Sequence, residues 1–330
     1  MVWMMRSLLV LCVMLVAAGA SRGENGDSYP DRPIRLIVAF VPGGATDTMI
    51  RQVTNDLQEA LGQAVIIENK PGANGYIAWN YVASSDPDGY TLLVAENALG
   101  ISQALYKKSK SQFDPLTQYD AVASLGTSPL VLVVANNVKA NSVAELIALS
   151  KTVPQKMNYA SAGVGSVAHL VFEAFRDAAG MDAVHVPYKG GGQAMNDLIA
   201  GQIEMNMASV AVAKGLVEAG RIKALVVTSP KRSPALPDVP TLTEVGLTPP
   251  AVDLRFWYGL FGPKGIPAPV KARLEKAVEK VMAKPEVRAR LAALDIEPGY
   301  EPGSVLRVKL ENEIRNWSKF IDEKGIKADY

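Results

Sequence analysis

Ile34-Arg35-Leu36-Ile37-Val38-Ala39-Phe40 runs into the turn Val41-Pro42-Gly43-Gly44-Ala45-Thr46, and Ile50, Val53, Leu57 and Leu61 follow at helical spacing. A β-branched run, a glycine turn and an amphipathic helix make one β-turn-α unit, with the three- and four-residue spacing marking a single buried face. The unit recurs along the chain. Strands are predicted at Val65-Ile66-Ile67-Glu68 and Tyr90 to Ala95, with a turn at Pro71-Gly72 and a helix near Ala78 between them. Strand and helix alternating in this way imply an α/β protein with mostly parallel sheets flanked by helices.

After Ser128-Pro129 a second set of units begins with strand Leu130 to Ala135. The next helix carries a capping-box pattern, Ser142-Val-Ala-Glu145. Strand Asn158 to Ala160, helix Ser166 to Ala179 closed by Gly180, strand Ala183 to Pro187, helix Gln193 to Ala200 closed by Gly201 and strand Ile203 to Met207 complete it. The proline-rich stretch Pro230 to Pro240 reads as a return crossing, followed by a strand at Phe256 to Phe261 and long helices from Pro269 and Gly303. Two domains are therefore expected: a discontinuous one from 28–125 and 236–330, and an inserted one from 126–235, joined by two hinge segments.

The N-terminus carries Arg6, an apolar run from Leu8 to Ala18 and the small-x-small site Ala18-Gly19-Ala20, the pattern of a secretory signal peptide over residues 1–20. The run is shorter than the ~20 residues that span a bilayer. Cys12 is the only cysteine and lies inside this segment, so the exported chain can build neither a disulfide framework nor a thiolate metal site. Bulky Leu11 before it argues against lipoprotein processing. Lys and Arg number 34 against 33 Asp and Glu, so losing Arg6 brings formal charge to zero. No net field favours nucleic acid or an acidic membrane surface, and no nucleic-acid partner is expected.

Three glycine-rich turns each follow a strand and open a helix: Pro42-Gly43-Gly44-Ala45-Thr46-Asp47, Ser161-Ala162-Gly163-Val164-Gly165-Ser166 and Tyr188-Lys189-Gly190-Gly191-Gly192-Gln193. In a parallel sheet such turns share the carboxyl edge, where ligands of open α/β folds bind. Glycine permits close backbone approach, and the unpaired N–H groups of a helix start attract anions. The turns of two facing domains could thus hold a carboxylate without arginine. Gly44 and Gly165 are expected to matter more for affinity than any charged side chain, since a side chain there would push the ligand off the backbone N–H groups or forbid the turn's dihedrals.

The motifs Tyr29-Pro-x-Arg-Pro-Ile-Arg35, Phe40-Val-Pro-Gly-Gly-Ala-Thr-Asp47, Glu68-Asn-Lys-Pro-Gly-Ala-Asn-Gly75, Pro87-Asp-Gly-Tyr-Thr-Leu-Leu93, Ser161-Ala-Gly-Val-Gly-Ser166 with His169, Val186-Pro-Tyr-Lys-Gly-Gly-Gly192 and Gly259-Leu-Phe-Gly-Pro263 span the mature chain. Together they resemble the Bug substrate-binding proteins of tripartite tricarboxylate transporters. The resemblance implies a two-domain periplasmic binding protein of the type II, Venus-flytrap kind. It also implies a non-enzymatic, exported, monomeric receptor that closes over a small organic carboxylate and delivers it to the membrane subunits of such a transporter. A ligand-presenting sensor for a signalling receptor is the alternative.

Carried over motif by motif, Phe40, Pro42, Gly43, Gly44, Ala45 and Asp47, with Asn97, form the first-domain side of the expected pocket. Ser161, Gly163, Gly165, Ser166 and His169 form the second side, joined by Tyr188, Gly190, Gly191 and Gln193, and by Ala208 and Ser209. Ala208-Ser209 stand where family members commonly have Phe-Asp, which removes a carboxylate from the rim and disfavours amine-bearing ligands. Ala39 stands where a proline is common.

Other readings of these residues compete. Asp47 at a helix start can act as a cap or macrodipole partner. His169 and His185 read as structural, Ser166 as an N-cap facing the ligand, and Phe256 and Trp257 as core or cleft wall. Gly163-Val-Gly-Ser-Val-Ala168 matches a dinucleotide fingerprint, but Asp182 precedes its strand instead of ending it. The chain has no Gly-x-Ser-x-Gly, no Walker loop and only two histidines, so neither a cofactor nor a metal is expected.

Overall fold

The computed structural model describes residues 29–106, 113–152, 156–248 and 252–326. The signal-peptide reading of residues 1–20 lies outside them. In chain order the elements are β1 (Ile34–Val38), α1 (Ala45–Leu61), β2 (Val65–Asn69), α2 (Tyr76–Ala83), β3 (Thr91–Ala95), α3 (Ala98–Tyr106), α4 (Pro115–Gln118), β4 (Tyr119–Ser128), β5 (Leu130–Ala135) and α5 (Val143–Thr152). They continue with β6 (Met157–Ser161), α6 (Val167–Ala179), β7 (Ala183–Pro187), α7 (Gly191–Ile199), β8 (Met205–Ser209), α8 (Val210–Glu218), β9 (Ile222–Val227), β10 (Phe256–Pro263), α9 (Ala268–Ala283), α10 (Pro285–Ala292), β11 (Glu297–Pro302) and α11 (Gly303–Lys324).

Two sheets organise the chain. The first has the order β11-β4-β10-β3-β1-β2 and draws its strands from both ends of the sequence; the second, β7-β6-β8-β5-β9, comes from the middle. β1 pairs in parallel with β2 and β3, and β6 with β7 and β8, as the β-turn-α rhythm requires. β10 and β11 run against this direction in the first sheet, and β5 does so in the second. β10 and β11 return to the first sheet after the second is complete, so their direction is set by where the chain re-enters it, whereas β5 follows directly on β4 and opens the second sheet. β4, β9 and β11 carried no strand reading in the sequence.

The elements follow local chemistry. In α1 the side chains of Met49, Ile50, Val53, Leu57 and Leu61 are buried, and Gly62 ends the helix at φ +77°, its N–H bonding the Gln58 carbonyl. Each buried aliphatic side chain there contributes about 1.5–3 kcal/mol. All six residues of β5, Leu-Val-Leu-Val-Val-Ala, are buried, which suits a strand flanked by β8 and β9 and covered on both faces. α5 keeps half its capping box: Ser142 Oγ accepts from Glu145 N at 3.2 Å, while Glu145 reaches the Asn141 N–H at 2.7 Å.

One apolar cluster runs from β3, α2 and α3 through α11 into the whole second sheet, and another fills the opposite face of the first sheet beneath α1, α9 and α10. Among the described residues, no helix is long and apolar enough to cross a membrane.

Candidate functional site

A cavity of about 550 Å³ opens between the two sheets. Four helix starts line it: Gly44 and Ala45 before and in α1, Ser166 and Val167 at α6, Gly190 and Gly191 at α7, and Ser209 at α8. Each helix N-terminus carries unpaired N–H groups and a partial positive charge. Residues 71–75, Glu96 and Phe256 complete the first-sheet side, and Asn206, Met207 and Ala208 the other. Lys189 is the only cationic residue of the lining and Glu96 the only acidic one.

The first turn is fastened from behind. Gly43 has φ +82°, which favours glycine, and its N–H donates to Asp47 Oδ2 at 2.9 Å. Arg51 grips the same carboxylate at 2.8 and 2.9 Å, and Asn69 Nδ2 joins Asp47 Oδ1 to the Phe40 carbonyl. Burial pushes the Asp47 carboxyl up, but the bonds from Arg51, Gly43 and Asn69 outweigh it and hold it below its ordinary value. Gly44 sits at φ −71°, an ordinary extended conformation, and a Cβ there would lie 3.4 Å from the Val41 carbonyl. The glycine this turn requires by its dihedral is therefore Gly43, not Gly44.

The second turn hangs on side chains of its own sheet. Ser161 Oγ bonds the Gly163 carbonyl and N–H at 3.0 and 3.1 Å and pairs with His185 Nε2 at 2.6 Å. Gly165 has φ +80°, and its N–H donates to His169 Nδ1 at 3.1 Å, which leaves the imidazole proton on Nε2. Ser166 caps α6 by accepting the His169 N–H. The His169 and His185 rings stack with centroids 4.0 Å apart. Burial, then His185 and Arg176, lowers the His169 pKa to about 3, and burial lowers that of His185 to about 4. Both are neutral, which suits a stacked pair that would otherwise bury two like charges. In the third turn Tyr188 donates from its hydroxyl to Asp197 at 2.7 Å and from its N–H to the Ser161 carbonyl, tying this turn to the second.

Of the residues expected from the sequence, Phe40, Pro42, Gly43, Gly44, Ala45, Gly163, Ser166, Tyr188, Gly190, Gly191, Ala208 and Ser209 meet at the cavity. Asp47, Asn97, Ser161, Gly165, His169 and Gln193 do not line it. Asp47, Ser161 and His169 hold the turns from behind, through the bonds above. Gly165 packs toward Leu105 and Asn74 of the opposite side. Gln193 is exposed on α7. Asn97 is 1% exposed and clamps β10, accepting from Trp257 N and donating to the Arg255 carbonyl and Glu313.

The neighbouring residue, Glu96, takes a place at the cavity for which no motif in the chain argued. Ala208 and Ser209 bring no carboxylate to the rim, and the one carboxyl of the lining enters after β3 instead. Asn74 was missed as well, although Pro71-Gly72-Ala73-Asn74-Gly75 is a turn motif on its face.

Among the described residues, three buried side-chain polar atoms have no hydrogen-bond partner: Asn74 Oδ1, Ser209 Oγ and Asp295 Oδ2. The first two belong to the cavity lining, one from each side. Buried polar groups rarely go unpaired, and such atoms at a cavity wall are suited to a bound polar molecule. Also among the described residues, no group of three or more His, Cys, Asp or Glu is placed to hold a metal ion.

The sequence model of the tripartite tricarboxylate transporter family receptor matches residues 49–326. The chain belongs to this family. BugT of Bordetella pertussis is 32% identical over 324 residues, 98% of this chain and 99% of that protein. The solved periplasmic binding protein BugD superposes with a TM-score of 0.84 at 30% identity, covering 91% of this chain and all of that one. Rpa4515 of R. palustris, solved with adipate, gives 0.85 at 31% identity, covering 91% and 99%. Family members are substrate-binding receptors and not enzymes.

Proposed function

We propose that this protein is an exported solute receptor that binds a small organic carboxylate between its two sheets and delivers it to the membrane subunits of a tripartite tricarboxylate-type transporter. The observation that carries this reading is the convergence of four helix starts, from both sheets, on one cavity whose lining holds a single cationic residue. Backbone N–H groups at helix starts neutralise a carboxylate without the desolvation cost of a buried ion pair. Ser209 Oγ can donate to such an anion, and Asn74 Oδ1 can accept from a hydroxyl or an ordered water beside it. The adipate bound by a relative at 31% identity supports the ligand class.

In this reading the lobes are 28–125 with 236–330, and 126–235, and the crossings after β4 and after β9 act as the hinge. The ligand sites sit on both lobes, so an anion can engage all four helix starts only when they close. Residues 1–20 direct export and are removed, and the mature protein acts as a periplasmic monomer.

The test is a thermal-shift and calorimetric screen of the mature protein against mono-, di- and tricarboxylates, with amines and sugars as contrast. A ligand at 100 times its Kd adds about 2.7 kcal/mol to native-state stability, so a true ligand raises the melting temperature clearly. Carboxylates should do so and the contrast set should not. A response confined to sugars or amines would defeat the proposal.

A further inference from the structure

Glu96 follows β3, lines the cavity and is only 5% exposed. Its Oε2 accepts the Ala98 N–H at 3.2 Å, and its other oxygen has no hydrogen-bond partner among the described residues. No cation among those residues pairs with it. The groups that face it are themselves uncharged or acidic. Glu313 on α11 lies within electrostatic reach and accepts from Asn97 Nδ2 at 2.7 Å and Trp257 Nε1 at 2.9 Å. Tyr258 on β10 also feels Glu96, and its hydroxyl pairs with Ser128 Oγ at 3.0 Å. Across the cavity the ionisable side chains are Lys189 and Tyr188.

A buried and a half-buried carboxyl group that interact, without a cation, cannot both ionise cheaply. Burial raises the Glu96 pKa to about 8, and burial together with the nearby Glu96 and Asp253 charges pushes Glu313 well above the ordinary range. Glu96 is therefore a carboxylic acid near neutral pH. The oxygen that accepts the Ala98 N–H serves as its carbonyl, so the proton sits on Oε1.

Resting on the carboxylate-receptor reading above, we infer that Glu96 determines ligand class: its protonated Oε1 donates a hydrogen bond to a ligand carboxylate, so the cleft accepts acids and excludes amines. An O–H donor to a carboxylate oxygen makes a short charge-assisted bond. Deprotonation turns that donor into a second anion facing the first. Above the Glu96 pKa a proton is thus taken up with the ligand, and affinity for acids falls once Glu96 ionises.

The experiment measures calorimetric affinity for succinate, malate and adipate between pH 6 and 9.5, on the mature wild-type protein and on Glu96→Gln and Glu96→Leu. The wild type should bind at least one of these acids and lose affinity about tenfold per pH unit above about pH 8. Glu96→Gln keeps an N–H donor that cannot ionise, so its affinity should stay level across the range. Glu96→Leu, checked for folding by circular dichroism, should bind at least tenfold more weakly at pH 7.

A wild-type affinity equal at pH 7 and 9.5, or a Glu96→Gln curve that follows the wild type, overturns the inference and leaves the receptor reading standing. A fall with pH that persists in Glu96→Gln would assign the titration to another group and overturn it equally. Failure of the wild type to bind any acid in the pH 6–7 range defeats the receptor reading itself, and this inference with it. If putrescine then binds more tightly as pH rises, and Glu96→Gln abolishes that, Glu96 is a counter-ion for amines.

Discussion

The two sides of the cavity keep it free of buried charge by opposite means. On the first-sheet side Glu96 is buried and Glu313 half-buried, neither pairs with a cation among the described residues, and burial raises the pKa of both. On the second-sheet side the buried His169 and the half-buried His185 are stacked and held as neutral bases. Both arrangements leave backbone N–H groups as the dominant electrostatic feature of the buried walls, with the exposed Lys189 the one cationic side chain in the lining. They differ in how they respond to protons. An acid with a raised pKa contributes stability that is present below its unfolded value of 4.5 and is lost as pH rises, up to about 8 for Glu96. A histidine with a lowered pKa contributes stability that is present above 6.5 and is lost as pH falls towards 3 to 4.

The largest predicted effect comes from this opposition. Each group should change unfolding free energy by about 1.4 kcal/mol per pH unit inside its own window. From pH 6.5 to 8 only the acids act, and stability should fall; between 4.5 and 6.5 the two pairs oppose each other and the profile should be nearly level. Below 4.5 the histidines dominate, joined by Asp47 and the other carboxyls whose pKa is lowered. Urea unfolding of the mature protein from pH 4 to 8.5 checks the shape. Glu96→Gln should flatten the alkaline arm, and His185→Gln should flatten part of the acid arm. An alkaline arm unchanged in Glu96→Gln would break the comparison on the first-sheet side.

Gly44 and Gly165, one in a turn from each side, differ in what they demand of the backbone, and substitution sharpens the difference. Gly165 has φ +80°, and a Cβ there would meet Leu105 Cδ2 at 3.0 Å and Asn74 Nδ2 at 3.2 Å. Gly165→Val should cost about 2–3 kcal/mol of stability through backbone strain and crowding. Gly44→Val, in an extended conformation with an ordinary contact, should change stability by less than about 1 kcal/mol. Its effect should appear in ligand affinity instead, because Gly44 lines the cavity. Equal destabilisation of the two variants in urea titrations would contradict this account.

Ser161→Ala removes the hydroxyl that bonds Gly163 and His185. The expected loss is about 1–2 kcal/mol, because the His185 nitrogen is left without its partner in a half-buried site. The smallest effect is expected for Lys324→Ala, which breaks an ion pair between α11 and Asp177 of α6 at 2.7 Å, with both side chains 40% exposed. That pair should contribute less than about 1 kcal/mol, so melting temperature and ligand affinity should hardly move.

Much of the fold was legible in the sequence because its signals are local. The glycine turns, the Ser166 cap, the Gly62 and Gly180 helix ends and the apolar face of α1 depend on residues a few positions apart, where dihedral preference and periodicity decide the outcome. Twelve of the expected site residues reach the cavity for the same reason, since a strand-turn-helix unit delivers its own turn to the sheet edge. The antiparallel places of β4, β10 and β11 were not legible. Those pairings join segments more than a hundred residues apart, and nothing within Tyr119 to Ser128 says which strand will lie beside it.

The sequence by itself determined the β-turn-α units and the family they resemble, and with these the helix starts that can hold an anion. Only tertiary structure decided which neighbour of a site residue faces the cavity. Asn97 looks the better ligand from its type, yet it is spent on Trp257, Arg255 and Glu313, while Glu96 turns inward. Nothing in Ala95-Glu96-Asn97 marks the glutamate as neutral. Its protonation follows from burial, and Glu313, brought beside it by α11 from over two hundred residues along the chain, supplies no cation to offset that burial. A side chain's desolvation and its neighbours' charges belong to the packed molecule, so its charge cannot be read from the local sequence.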